Sequence, residues 1–176
     1  MDLVQSIFEL IDMRSFSNLW FWIMLAVLWS TTSHWVIGVP WDMVVRARKN
    51  DDQQNLEDLH DIVRINCNRI LLISKEVGLL LTGFMGFVLT TLGMLAFGSG
   101  NEFCQALFLL AFPMSLVALL SLQTARAIRD KELYAEALYR RMNQHRIITQ
   151  GIGMVSIFVT AIWGMLQNYQ TGPLGG

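Results

Sequence analysis

Charge is what this chain has least of. Only 15% of its 176 residues are Asp, Glu, Lys or Arg, and four windows, 15–41, 77–101, 103–125 and 147–176, contain none of them. A soluble domain needs charge spread over its surface, so windows of that length exclude an ordinary soluble fold. Cysteine is nearly as scarce: Cys67 and Cys104 are the only two. They are too few for a disulfide framework or for a four-cysteine metal or cluster site. An excess of basic charge is missing as well. A formal net charge of -1 gives no electrostatic footing for nucleic acid, whose binding depends on neutralising phosphates. The sequence also lacks GxxxxGK[ST], HExxH, CxxC and GxSxG, so phosphate loops, zinc-protease sites, thiol redox pairs and nucleophile elbows have no carrier.

Hydrophobic residues fill the space that charge leaves, at 53% of the chain. A membrane-crossing helix needs about 20 mostly apolar residues, and each uncharged window is long enough. Four spans are expected, over about 19–39, 77–97, 103–122 and 147–166. Of the 13 Lys and Arg residues, all but Arg14 fall in two stretches. Arg46, Arg48, Lys49, Arg64, Arg69 and Lys75 lie in the first, and Arg126, Arg129, Lys131, Arg140, Arg141 and Arg146 in the second. Basic loops stay on the cytoplasmic side, so the connections 42–76 and 123–146 are expected in the cytoplasm and both termini in the periplasm. The resulting fold class is all-α: a polytopic bundle of four transmembrane helices in one membrane domain, 15–170, with cytoplasmic helical extensions. The start of the chain carries Asp2, Glu9 and Asp12 where a signal peptide has basic residues, so the first span is expected to stay attached. Residues 1–14, with Val4, Ile7, Phe8 and Ile11 at helical spacing, predict an amphipathic helix lying at the interface. Residues 171–176 predict a flexible tail.

Two kinds of packing signal stand out. In the first connection Leu56, Leu59, Val63, Asn66, Ile70, Ile73 and Val77 alternate at spacings of three and four, which is a heptad seam. It predicts a helix from about Gln53 running unbroken into the second span, with Asn66 as its one polar position. The seam is expected to pack on the second connection of the same chain, a separate partner being the alternative. In the second span Gly78, Thr82, Gly86 and Thr90 repeat every four residues, and Ser156, Thr160 and Gly164 do so in the fourth. Small residues at this spacing let helix backbones approach closely in lipid. Packing within the bundle is expected for both stripes, and a homodimer is the other use they admit. Leu138, Met142, His145, Thr149 and Ile152 form a further buried stripe. Five of the six tryptophans, Trp20, Trp22, Trp29, Trp35 and Trp41, crowd the first span, four near its ends, where indoles favour the interface. Trp29 sits nearer mid-membrane, where it either packs or stacks on a ring-shaped cofactor. The GxG pairs at 98–100 and 151–153 lack dinucleotide context and read as turn and packing glycines.

Histidine is the one cofactor signal. His34 and His145 fall near the same membrane face, and paired imidazoles can ligate a haem iron. Otherwise no cofactor and no metal is expected. The spans carry no carboxylate or Lys/Arg at depth, which argues against a coupled transporter.

Three stretches, 11–20 (IDMRSFSNLW), 33–40 (SHWVIGVP) and 151–160 (GIGMVSIFVT), carry a resemblance to a family of small four-span inner-membrane proteins of Rhodobacter-like alphaproteobacteria without an assigned activity. The resemblance runs over nearly the whole length and implies a bacterial inner-membrane location. Members are sometimes labelled as components of the Suf iron–sulfur assembly complex, which would imply a role beside that machinery, although two cysteines provide no cluster ligand set. The expectation is therefore a non-enzymatic accessory, assembly or structural subunit of a larger membrane complex, respiratory or photosynthetic. Its partners would be the bilayer and other subunits. The alternative is a small redox protein holding haem between His34 and His145.

Overall fold

In the computed structural model, residue 16 and residues 19–49 and 53–170 are described. The expected interfacial helix 1–14 and the tail 171–176 lie outside the described residues. Helix makes up 91% of the described residues. In chain order the elements are α1 (Leu19–His34), a hairpin of β1 (Trp35–Val36) and β2 (Val39–Pro40), α2 (Trp41–Lys49), α3 (Gln53–Gly93), a π-type turn (Met94–Gly98), α4 (Glu102–Asp130) and α5 (Ala135–Gln170). Three of these helices, carried by α3, α4 and α5, are long and apolar enough to cross a membrane.

The first apolar helix differs from expectation. It stops at His34, whereas the first span was expected to run to residue 39 and end at Pro40. The chain instead reverses: Trp35 pairs with Pro40 and Val36 with Val39. The two residues of the turn, Ile37 (φ 53°) and Gly38 (φ 73°), both have positive φ, which is the backbone of a tight hairpin turn. A β-branched residue resists that conformation, at a cost of about 1–3 kcal/mol. Burial offsets it, because Val36, Ile37 and Val39 all enter the core. At 16 residues α1 is about 24 Å long at 1.5 Å per residue.

The helix α3 starts at Gln53 and runs 41 residues without a break, about 60 Å, so the heptad region and the apolar region are one rod. Asn101 caps α4, its side-chain oxygen accepting from the Cys104 amide at 3.2 Å, with Glu102 in the first turn. An acid there complements the helix dipole. The turn from α4 to α5 follows Asp130 and is closed by the Leu133 amide donating to the Ile128 carbonyl at 3.1 Å. Glu132 takes a φ of 44° there.

Three apolar clusters hold the bundle. At the charged end Val36, Val39, Val44, Leu59, Val63, Ala125, Ile128, Leu138 and Met142 form the largest. Leu25, Trp29 and Val117 form the middle one, and Phe16, Phe21 and Ala106 the one at the far end.

Candidate functional site

The heptad seam is occupied by the chain itself from Leu56 to Ile70, whereas Ile73 and Val77 are exposed. Leu59 and Val63 are buried in the charged-end cluster, with Leu56 and Ile70 packed against it. Their neighbours come from the hairpin, α2, α4 and α5. Asn66 donates from Nδ2 to the carbonyl of Gly38 at 3.2 Å, so the seam's polar position holds the hairpin turn. A Cβ on Gly38 would meet that same Nδ2 at 3.2 Å. Cys67, on the next position, is buried at the cluster's centre, where a thiol acts as a small apolar side chain.

The two small-residue stripes part company. On α5, Ser156, Thr160 and Gly164 are buried, as are Thr149 and Gly153 before them. A Cβ on Gly153 would stand 2.7 Å from Cε3 of Trp29, and one on Gly164 would stand 3.4 Å from Cζ2 of Trp22. The stripe is therefore the bed on which the tryptophans of α1 lie, and Trp29 packs on glycine. On α3, Thr82, Gly86 and Thr90 are exposed and Gly78 is half-buried. Added Cβ atoms at Gly83 and Gly86 would meet no described atom within 4 Å, and one at Gly78 would meet only its own helix's Ser74. The expected packing inside the bundle does not occur here, because α4 covers α3 from another side. The Thr82 and Thr90 hydroxyls donate to the carbonyls of Gly78 and Gly86, each at 2.8 Å. That leaves an outward strip whose polar atoms are met within one helix, flanked by large apolar groups such as Leu79 (93% exposed), Phe84 and Phe87.

The two histidines have separate surroundings. His34 ends α1 with its side chain 54% exposed, its Nε2 3.8 Å from Asp42, which Arg46 also approaches at 3.4 Å. His145 is 3% exposed, and its Nε2 lies 3.1 Å from the Ser121 hydroxyl. An exposed ring and a buried one do not form a prepared pair for one iron. His60, a turn into the seam, instead stacks edge-on against Tyr134 at 5.0 Å. Arg146 lies over the Trp41 ring at 4.5 Å, a cation–π contact joining α5 to the start of α2.

A buried polar bracket escaped the sequence. Gln105 donates to the Ala96 carbonyl in the π-type turn and accepts from the Trp163 indole, both at 2.9 Å. One side chain thus ties the π-type turn that ends α3 to α4 and α5 at the end remote from the charges. Its only signal was a glutamine in an otherwise apolar window, a position that lipid would not tolerate unpaired.

Among the described residues no cluster of three or more His, Cys, Asp or Glu side chains could hold a metal ion. Set against known proteins, the chain matches no family model, no curated protein and no solved structure.

Proposed function

We propose that this chain is a four-span inner-membrane protein with no catalytic activity of its own, attached to a larger respiratory or photosynthetic membrane complex through the outward face of α3. The observation that carries the reading is the exposed strip Thr82–Gly86–Thr90 below the half-buried Gly78, with its hydroxyls already satisfied. Such a strip lets a second helix approach to backbone contact without stranding a polar group. The heptad seam, the other surface that suggested a partner, is filled from Leu56 to Ile70 by the chain's own hairpin and helices, so partner binding falls to the apolar part of α3 that carries the strip.

The topology belongs to the same reading. Apart from Arg14, the Lys and Arg residues lie ahead of α3's apolar half and around the junction where α4 ends and α5 begins, which favours a cytoplasmic charged end and periplasmic termini. The helix α1 serves as the fourth span. Its length of about 24 Å falls short of about 30 Å of hydrocarbon, and the apolar hairpin that follows it supplies the remainder. A bacterial inner membrane agrees with the resemblance to Rhodobacter-like proteins.

The experiment is mass spectrometry of what the tagged protein brings from native membranes in a mild detergent. The subunits of one complex are expected in near-stoichiometric amount, and Gly86→Ile should lose them. Recovery of a second copy alone would point to a homodimer through the same strip. Recovery with a haem spectrum that needs both His34 and His145 would replace the subunit reading with the redox one. A reporter fused after Gly176 should be active in the periplasm.

A further inference from the structure

Between α3 and α4, where the apolar part of the bundle meets its charged end, runs a groove of about 460 Å³ lined by Asn68, Arg69, Leu71, Leu72 and Lys75 of α3 and Arg129 of α4. Three cations share it with two leucines, and no carboxylate lines it. Among the described residues none of the three is ion-paired with an acid, in contrast to Arg46, Arg48 and Arg64. Three cations converging on one concavity repel one another until an anion lies between them.

The height of the groove identifies the kind of anion. Lys75 stands at the edge of the apolar stretch 77–97. Arg69 is about 9 Å further along the helix, and Arg129 is about 10 Å beyond residue 122. The polar layer on each side of a bilayer is about 5–8 Å thick, and long basic side chains reach toward the phosphates from just beyond it. On this face Leu72, 59% exposed, lies between Arg69 and Lys75, and below Lys75 the face continues through Leu79, 93% exposed. Head-group chemistry above and acyl-chain chemistry below thus lie on one line.

We propose that this groove is a binding site for an anionic glycerophospholipid, its phosphate held by Arg69, Lys75 and Arg129 and one chain starting down the helix along Leu79. Basic pockets between membrane helices hold anionic lipid head groups by this chemistry. The lipid site requires only that α3 and α4 cross a bilayer, not the proposed subunit role.

A second basic groove provides the control. Lys131, Arg140 and Arg141 share it with Glu136 and Gln144, so it has the same number of cations but an acid among them. The test is native mass spectrometry and thermal-shift titration of the full chain in neutral detergent, with phosphatidylglycerol, phosphatidylcholine or inorganic phosphate added. The full chain is expected to retain phosphatidylglycerol in preference to phosphatidylcholine. The triple variant Arg69→Gln, Lys75→Gln, Arg129→Gln should bind it about a hundredfold more weakly, from the usual contribution of each basic residue near an anionic surface. Charge-retaining Arg69→Lys, Lys75→Arg, Arg129→Lys should keep most of the affinity. Should the neutral triple variant fail to extract, Lys75→Gln alone, at an exposed position, should still lose about fivefold. An equal loss from Lys131→Gln, Arg140→Gln, Arg141→Gln would overturn the site in favour of a general basic belt. Equal binding of phosphatidylcholine, or full competition by inorganic phosphate at equal concentration, would overturn the lipid assignment. Partner recovery from native membranes is scored separately and can fail without touching any of these outcomes.

Discussion

Two stripes of small residues at the same four-residue spacing meet opposite fates in one molecule. On α5 the stripe is covered, and Gly153 and Gly164 lie under Trp29 and Trp22. On α3 it is bare, with Thr82, Gly86 and Thr90 all exposed. The spacing states only that a backbone can be approached closely. What decides whether the approach is made inside the chain is the facing element: α1 places large indoles opposite the glycines of α5, while no described residue covers Gly86 on α3. The buried stripe should therefore be read by unfolding and the bare one by association, and substitutions should separate the two.

The largest effect is expected at the covered stripe. Gly153→Val adds a branched side chain where a single Cβ already comes within 2.7 Å of the Trp29 ring. Overpacking of this kind costs about 3 kcal/mol, measured as a fall in the chemical-unfolding midpoint in micelles. Trp29→Ala should recover part of that loss when combined with Gly153→Val, although alone it destabilises. A purely additive double variant would show that the two positions do not press on each other.

Next in size is Gln105→Leu. It removes two hydrogen bonds and leaves the Trp163 indole N–H and the Ala96 carbonyl without the partner that holds each at 2.9 Å. A loss of about 2–3 kcal/mol is expected, with Gln105→Glu intermediate because a carboxylate can accept from Trp163 but not donate to Ala96. Unfolding midpoints again measure it, and equal midpoints for all three chains would remove the bracket from the account of the fold.

Much of this arrangement was legible in the sequence. The spacing of Leu56, Leu59 and Val63 against the run that follows gave a helix from Gln53 into the apolar region, and α3 begins there. The charged connection 123–146 was equally open to view, and α4 ends at Asp130 inside it. The hairpin was not. Residues 35–40 are as apolar as a span, and hydropathy cannot distinguish a helix from a reversal whose side chains are buried among other helices. The deciding facts, positive φ at Ile37 and a hydrogen bond from Asn66, are tertiary. The same holds for Gln105, whose partners lie on two other elements, and for the stripes, since spacing does not say which face of a helix its neighbours cover.

Asn66 supplies a smaller effect that joins the hairpin to the seam. Asn66→Leu keeps the heptad apolar but removes the donor to the Gly38 carbonyl. The cost is about 1 kcal/mol, and it should be confined to the charged end. Amide hydrogen exchange should quicken across residues 35–40 while the amides of α5 near Gly164 keep their protection. Uniform acceleration along the chain would mean that the hairpin and the bundle unfold as one unit, and would remove the distinction between the two ends.

The smallest effect on stability is expected at the bare stripe. An Ile side chain at Gly86 enters space where a Cβ meets no described atom within 4 Å. Gly86→Ile should therefore change the stability of the isolated chain by no more than about 0.5 kcal/mol. Its consequence lies elsewhere, because a branched side chain at the centre of the strip holds a second helix away from the backbone. Partners recovered from native membranes should fall by an order of magnitude while the unfolding midpoint stays fixed. Should Gly86→Ile unfold the chain as Gly153→Val does, the α3 strip would be an internal face after all and the two stripes would have one role. Should it change neither stability nor recovery, the strip would be a lipid-facing surface, and attachment would have to be sought at another face of the bundle.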